Sequence, residues 1–228
     1  MNVVYALTRN VYDWLLPSIR SLAEHNPKTR VFILAEDDAL PFDLPMSVEV
    51  VNISGQAFFP EIGAHRTEAF GVYINHLKVC YPEILPVNKV IHLDIDTIVC
   101  DSLEDLWKTD VTGKWFAVVP EGQVWYRPYG ESYYNMGVAL INLAQMRRDK
   151  IVPKMIDFLS TTDQPYADQN AWNKFGTEEH KIATLDLRFN ESRVTGQTDN
   201  PAIVHYCSFP DWYTNKRINR REYLERYL

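Results

Sequence analysis

Apolar and polar positions divide the chain into short alternating strands and helices. Val3-Val4-Tyr5-Ala6-Leu7 is an apolar run of strand length, and Thr8-Arg9-Asn10 after it is turn-like. Leu15, Ile19, Leu22 and Ala23 then recur at helical spacing, with Asp13 as a candidate cap. Pro17 lies near enough to the start of that helix to be tolerated, and Asn26-Pro27 ends it. Arg30-Val31-Phe32-Ile33-Leu34 reads as a second strand and Val48-Glu49-Val50-Val51 as a third. This alternation predicts a parallel, nucleotide-binding type of α/β sheet.

Further along, residues 64–85 predict a helix broken near Tyr81-Pro82. A strand begins at Val90, another covers Phe116-Ala117-Val118-Val119, and Tyr133-Tyr134-Asn135-Met136-Gly137 leads into Val138-Ala139-Leu140-Ile141-Asn142. Residues 151–159 and 168–175 carry helical spacing, and Ala202-Ile203-Val204 is a late strand ending on His205. The chain contains no internal repeat, low-complexity tract or dividing linker, which predicts a single domain.

One stretch breaks the apolar pattern. Val90-Ile91-His92-Leu93-Asp94-Ile95-Asp96-Thr97-Ile98-Val99 carries two carboxylates one residue apart. On an extended strand Asp94 and Asp96 share a face, with Cβ atoms about 6–7 Å apart. That gap suits two carboxylates gripping one hard divalent cation. Ile91, Leu93 and Ile95 take the packed face. Charges ending a buried run need a partner, and ligands of open α/β sheets bind at strand carboxyl ends. Ser102 is a candidate N-cap for a helix through Leu103 and Leu106-Trp107.

His205 supplies a third candidate ligand. Two carboxylates and one imidazole, with positions left for phosphate oxygens, suit Mn²⁺ or Mg²⁺. Such an ion holds a diphosphate and neutralises its charge as it departs. The chemistry points to a nucleotide-sugar donor or to nucleotide transfer. Each residue also has a plain structural role open to it. Taken alone, His205 reads as a hydrogen-bonded core histidine, Gly137 as a tight turn, and Asp168 as a helix cap. Asn135 and Asn190 fit turns, Lys78 a solvated helix charge, and Glu121 a loop.

Composition narrows the partners. The chain has 228 residues, 46% hydrophobic and 23% charged, ample for a core. No run of 18 apolar residues and no basic leader is present, so neither a membrane span nor a signal peptide is expected. Cys80, Cys100 and Cys207 fit no zinc spacing or disulfide framework, which favours a reducing cytoplasm. A net charge of −7 argues against a nucleic-acid surface. Aromatic residues make up 13%, mostly core material, though exposed ones stack on sugar rings.

The ordered motifs carry a resemblance. They are Val4-Tyr5-Ala6 through Tyr12, Lys78 with Pro82-Glu83-Ile84-Leu85-Pro86, and His92-Leu93-Asp94-Ile95-Asp96. Tyr134-Asn135-Met136-Gly137-Val138 with Leu140-Ile141-Asn142-Leu143, Ala167-Asp168-Gln169-Asn170, Arg188-Phe189-Asn190 and His205-Tyr206-Cys207 follow. In this order and spacing the chain resembles a family 8 glycosyltransferase of the GT-A fold, the family of bacterial lipopolysaccharide galactosyl- and glucosyltransferases and glycogenin. The resemblance implies a Rossmann-like mixed sheet with flanking helices. It also implies retaining transfer of a hexose from a UDP-sugar to a glycan, lipid-linked or protein acceptor, with Mn²⁺ or Mg²⁺. By resemblance, Ala6, Leu7, Thr8, Asn10 and Tyr12 hold uracil and ribose, and the backbone at Ile95 meets the ribose. Asp94, Asp96 and His205 are the metal ligands, and Lys78 lies near the donor phosphates. Glu121, Asn135, Gly137, Asp168 and Gln169 surround the donor sugar and acceptor, with Gln169 and Asp168 catalytic.

Two departures stand out. Members often carry an acidic residue at the position of Thr8. The usual C-terminal motif, His-x-x-Gly-x-x-Lys-Pro-Trp, here reads His205-Tyr206-Cys207-Ser208-Phe209-Pro210-Asp211-Trp212, one residue shorter, without the glycine or the lysine. That lysine reaches the departing diphosphate. Lys216 or Arg217 is the candidate substitute, a shorter loop could bring Trp212 over the donor, and Arg220 serves as an indifferent comparison. Residues 1–212 are expected to form the transferase domain and 213–228 a basic helical tail. The tail's charge suggests docking at the inner membrane surface, where lipid-linked acceptors sit; a solvated face of a packed helix is the plainer alternative. Two rival functions remain at this point. One is a nucleotide-sugar-forming nucleotidyltransferase, although Thr8-Arg9-Asn10-Val11 lacks its glycine-rich loop. The other is a catalytically weakened nucleotide-sugar binding protein.

Overall fold

The apolar runs become β1 (Asn2–Ala6), α1 (Leu15–His25), β2 (Arg30–Ala35) and β3 (Val48–Asn52) in the computed structural model, which describes residues 1–59, 73–122, 128–161, 166–207 and 212–228. Next come α2 (Tyr73–Leu77), α3 (Tyr81–Ile84), β4 (Val90–Leu93), β5 (Thr97–Val99), α4 (Glu104–Lys108) and β6 (Phe116–Pro120). β7 (Tyr134–Ile141), α5 (Leu143–Asp149), α6 (Val152–Thr161), α7 (Asp168–Glu178), β8 (Ile182–Thr184), β9 (Ile203–His205) and α8 (Arg221–Glu225) complete the described elements.

Seven strands form one sheet in the order β3-β2-β1-β4-β7-β6-β8. The parallel sheet expected from the strand–helix alternation is instead mixed. β7 runs antiparallel to both β4 and β6, while the remaining pairs are parallel. The reason lies in connectivity: β6 and β7 are consecutive and adjacent, and a parallel neighbour would demand a crossover, usually a helix. Side chains alternate between two cores. Val4, Phe32, Leu34 and Val90 enter one with α3, α5 and α6 residues, and Val3, Tyr5, Val31, Ile33, Ile91 and Leu93 enter the other with α1. Both faces are covered, which is why these strands read as continuous apolar runs.

The run from Val90 to Val99 proves to belong to two sheets. β4 stops at Leu93, and Thr97 pairs with His205 in a separate ribbon of β5 and β9. Asp94 and Asp96 therefore lie in the turn between β4 and β5, not on an extended strand. The Asp94 N–H donates to the Gly137 carbonyl at 2.7 Å, and Thr97 Oγ1 donates back to the Asp94 carbonyl at 2.7 Å. A threonine hydroxyl closing its own turn overrides the extended preference of the apolar run.

Several local expectations shift. Asp13 is exposed within a 3₁₀ turn, Arg9–Trp14, and α1 begins behind Trp14 without a side-chain cap. α4 is preceded by Leu103 rather than Ser102, although Ser102 Oγ accepts from the Glu104 N–H at 3.3 Å. Of the expected helix over 64–85, residues 64–72 lie outside the described residues. From Tyr73 to Ile84 the chain is helical, with a 3₁₀ turn, Lys78–Cys80, ahead of Pro82, and Leu85 is already extended. Gly137 and Asn135, offered as turn residues, both lie inside β7.

The tail forms a third, small core. Ile218, Leu224 and Tyr227 pack with Ile98, Val204, Tyr206 and Trp212 against the β5–β9 ribbon. Trp212 is buried there and stacks on Tyr206 with ring centroids 5.6 Å apart, so it is not presented to an open cleft. Among the described residues no helix is long and apolar enough to cross a membrane.

Candidate metal and donor site

β1 and β4 are neighbours, with Val4 level with His92. Two residues further, the same register carries the end of β1 at Ala6 to the level of Asp94, so both strands deliver their carboxyl ends to one place. β7 supplies the other side. His205, at the end of β9, returns over Gly137: a Cβ added at Gly137 would strike the His205 ring, with Nδ1 and Nε2 each 2.7 Å away. Glycine is thus demanded inside a strand because another ring occupies its side-chain space.

One ligand atom from each of Asp94, Asp96 and His205 lies within 4.8 Å of the others. His205 Nε2 is 3.3 Å from Asp96 Oδ1 and 3.9 Å from Asp94 Oδ2. Adjacent ligands around an octahedral ion with bonds near 2.2 Å stand about 3.1 Å apart, so the three residues fit a hard divalent ion. Burial disfavours the charged ring of His205, but Asp96 and Asp94 outweigh it and hold the proton to higher pH than a free imidazole.

Asp94 divides its oxygens. Oδ1 accepts from Lys78 Nζ at 2.6 Å and His92 Nε2 at 3.0 Å, leaving Oδ2 toward His205. Burial pushes the Asp94 carboxyl up, yet Lys78 and His92 outweigh burial and keep it well below the usual carboxylate range. Lys78 is buried rather than solvated, and Asp94 and Asp168 offset the desolvation of its ammonium. His92 is held neutral, first by burial and then by Lys78; its other nitrogen meets Tyr81 Oη at 3.1 Å.

A continuous hydrogen-bonded chain runs from the ligands to α7. His205 Nδ1 meets Asn190 Oδ1 at 2.9 Å, and Asn190 Nδ2 donates to Asn135 Oδ1 at 2.9 Å. Asn135 donates to Glu121 Oε1 at 3.4 Å, and Gln169 Nε2 donates to the same oxygen at 3.1 Å. Gln169 Oε1 accepts from the Met136 N–H at 3.1 Å. Asp168 is 4% exposed, its Oδ2 has no hydrogen bond among the described residues, and burial lifts its pKa to about 6, with Lys78 opposing and Asp94 adding to the rise. Ahead of it Ala167 holds φ +48° and ψ −129°, a conformation that costs a residue with a Cβ about 1–3 kcal/mol.

At the end of β1, Thr8 and Tyr12 are buried while Asn10 is exposed, and Thr8 Oγ1 donates to Asn10 Oδ1 at 2.6 Å. Beside them opens a cavity of about 400 Å³ lined by Arg9, Asn10, Tyr12, Asp13, Asp37, Ala39 and Pro41. Glu36 and Asp37 from the end of β2 organise it. Asp37 takes Arg9 through two nitrogens at 2.8 and 2.7 Å and accepts from Tyr12 Oη at 3.1 Å. Glu36 accepts from the Arg9 N–H at 2.7 Å and Tyr73 Oη at 2.6 Å. A smaller cavity of about 200 Å³ at the β8 edge is lined by Lys114, Tyr134, Gly176, Thr177, His180 and Ile182, none of them a candidate site residue.

The expected residues therefore gather in two adjoining groups. Ala6, Leu7, Thr8, Asn10 and Tyr12 stand at the end of β1. Lys78, Asp94, Ile95, Asp96, Glu121, Asn135, Gly137, Asp168, Gln169 and His205 stand around the turn after β4. Sequence reasoning gave no contact to His92, Tyr81, Glu36 or Asp37, and it read Asn190 as a turn or site residue without saying what it would hold. For His92 the signal existed: it precedes Asp94 by two residues, the spacing that shares a strand face.

Residues 2–210 match the model of glycosyl transferase family 8. The chain belongs to that family. Galactosyltransferase LgtC shares its GT-A fold: an active-site mutant superposes with a TM-score of 0.81 at 21% identity, covering 100% of this chain and 95% of LgtC. Glycosyltransferase GlyE of Streptococcus pneumoniae superposes at 0.75 with 20% identity, over 99% of this chain and 59% of GlyE. Among curated relatives, glycosyltransferase GlyA of S. pneumoniae is 25% identical over 224 residues, covering 90% of this chain and 31% of GlyA. A glycosyltransferase-like protein of Haemophilus influenzae is 25% identical over 216 residues, covering 83% of this chain and 63% of its own length. The chain thus spans less than two thirds of the length of these two relatives.

Two expectations about the end of the family motif need revision or lie out of reach. Residues 208–211 lie outside the described residues. Lys216 and Arg217 are exposed, whereas Arg220 is no indifferent residue. Its Nε donates to Glu191 Oε1 at 2.6 Å, and Glu191 is 1% exposed. A buried carboxylate must be paired, which is why a basic residue of the tail is drawn inward.

Proposed function

We propose that this chain is a metal-dependent, retaining glycosyltransferase that moves a hexose from a UDP-sugar to a glycan, lipid-linked or protein acceptor. The observation that carries the reading is the Asp94–Asp96–His205 cluster beside the carboxyl end of β1, with Gln169 and Asp168 across from it. A Mn²⁺ or Mg²⁺ ion held there would bind the donor diphosphate and offset the charge of the leaving nucleotide. Lys78 keeps Asp94 ionised and oriented. The cavity at Arg9, Asn10 and Tyr12 receives the nucleoside. Gln169, tied at both ends of its amide, presents a fixed dipole to the charge developing at the sugar carbon, the kind of preorganised group that stabilises a transition state. LgtC, solved with donor and acceptor sugar analogues, lends support to a nucleotide-sugar donor. Exposed Lys216 and Arg217 suit a cytoplasmic enzyme touching a membrane that displays lipid-linked acceptors.

Calorimetry with UDP and Mn²⁺ tests the reading. Asp96→Asn and His205→Ala should each abolish metal-dependent UDP binding while the protein still melts cooperatively. Unchanged affinity in both variants places the donor elsewhere. A second reading, a nucleotide-sugar binder with weakened catalysis, is favoured by one observation: Lys78 is already engaged by Asp94, and the motif's phosphate-reaching lysine is missing. Incubation with UDP-hexoses and Mn²⁺ separates the two, since only the enzyme releases UDP.

A further inference from the structure

We propose that Asn190 is a positioning residue that decides which ring nitrogen of His205 is left bare for the metal. The inference rests on the reading of Asp94, Asp96 and His205 as the ligands. Its starting point is a group with no choice. The backbone N–H of Gly137 can only donate, and its partner 3.0 Å away on the Asn135 side chain must be the oxygen. The Asn190 atom 2.9 Å from that same oxygen must then be a donor, so it is Nδ2. Asn190 therefore turns its oxygen to His205 Nδ1, 2.9 Å away, and Nδ1 carries a proton. Nε2 is left as the nitrogen facing Asp94 and Asp96.

Neither amide is free to turn over. Asn190 is fully buried on a backbone held in place, its backbone N–H donating to the Leu187 carbonyl at 3.0 Å and its backbone carbonyl accepting from Thr195 Oγ1. Asn135 is buried inside β7, with its nitrogen toward Glu121. Without this chain the neutral ring would prefer its proton on Nε2, beside the Asp96 carboxylate, the arrangement that cannot bind a metal through that atom. Ligating histidines are held by an outer hydrogen bond as a rule. Here the holder is the neutral amide of Asn190, set through Asn135 by the Gly137 N–H, two residues beyond Asn135 in β7. Gly137 thus serves the ring twice, by its missing side chain and by its N–H.

Long-range ¹H–¹⁵N correlation on histidine-labelled, metal-free protein at alkaline pH reads the proton's place directly. The wild type should show His205 protonated on Nδ1. In Asn190→Ala the proton should move to Nε2. Affinity for Mn²⁺ alone, from the electron paramagnetic resonance of the free ion, should fall about 10- to 100-fold in a protein that still melts cooperatively. A wild-type ring protonated on Nε2, or a folded Asn190→Ala within twofold of wild-type Mn²⁺ affinity, overturns the proposal. The wild-type spectrum decides the matter even where the variant does not fold. If Nδ1 is protonated and the wild type binds no Mn²⁺, the ligand assignment fails while the tautomer control stands.

Discussion

Replacing Arg220 with alanine is expected to damage the protein far more than a tail residue normally would. Arg220 meets Glu191 through two nitrogens, Nε to Oε1 at 2.6 Å and Nη2 to Oε2 at 3.2 Å, and Nη2 also donates to the Thr198 carbonyl at 2.8 Å. The Glu191 side chain is 2% exposed and that of Arg220 26%. Removal leaves Glu191, among the described residues, with the Thr198 N–H as its remaining side-chain donor, 2.8 Å from Oε2. Breaking a buried pair costs about 3–5 kcal/mol. Arg220 is a quarter exposed, and water entering its place recovers part of that, so about 2–4 kcal/mol is expected. For a chain of this size each kcal/mol shifts Tm by about 2–4 °C, giving a drop of roughly 5–15 °C. The loss should also reach the site, because the Glu191 carbonyl accepts from the His205 N–H at 2.8 Å and its N–H donates to the Ile203 carbonyl at 3.0 Å. Urea unfolding of Arg220→Ala, Glu191→Gln and the double variant measures the coupling. Glu191→Gln should restore part of the stability lost in Arg220→Ala, since it removes the stranded charge. An Arg220→Ala variant within about 0.5 kcal/mol of wild type, the range of an ordinary surface change, would refute the reasoning. So would a double variant no more stable than Arg220→Ala.

Four further outcomes follow from the same geometry. Gly137→Ala should lower Mn²⁺ affinity at least tenfold by calorimetry and cost about 1–3 kcal/mol in stability, because its Cβ strikes the His205 ring. Ala167→Gly should raise Tm, relief of about 1–3 kcal/mol of backbone strain outweighing the 0.4–1 kcal/mol that glycine costs through the unfolded chain. Asp168 has a folded pKa of about 6, above the ordinary carboxylate value, so its contribution is fully present below about pH 4 and is lost as pH rises through 6. Asp168→Asn should therefore be more stable than metal-free wild type above pH 7, by about 3 kcal/mol for a shift of roughly two pKa units, and the gap should close below pH 4. Gln169→Ala should lower kcat more than KM in donor turnover; a raised KM at equal kcat makes Gln169 a binding residue only.

Much of the sheet could be read from the chain because buried strands leave uninterrupted apolar runs, and β1, β2, β4 and β6 each sit on one. What the runs do not encode is where a strand changes partners. Ile98 and Val99 look like a continuation of Ile91 and Leu93, yet they belong to the β5–β9 ribbon. The switch depends on a threonine hydroxyl and a carbonyl of β7, contacts that no periodicity carries. β8 escaped notice for a related reason: its three residues gain their strand character from pairing with β6, not from their own sequence.

The site shows the same division. Asp94, Asp96 and His205 are visible because charges ending apolar strands demand a partner: Asp96 finds His205 at 3.3 Å, and Asp94 finds Lys78 and His92 outside that group. The residues that orient them were hidden, because their chemistry is ordinary until topology places them. Lys78 is the clearest case. A lysine on helical spacing reads as solvated, since nothing in the local pattern says what lies beneath it. The 3₁₀ turn at Lys78–Cys80 ends over the carboxyl end of β4, and the ammonium meets a carboxylate sixteen residues later in the chain. Its burial is offset by Asp94 first, then by Asp168 and Asp96. Neutralising Lys78 would therefore take the cation from Asp94, itself a candidate ligand, and from Asp168, so its functional and structural roles cannot be separated by removing it.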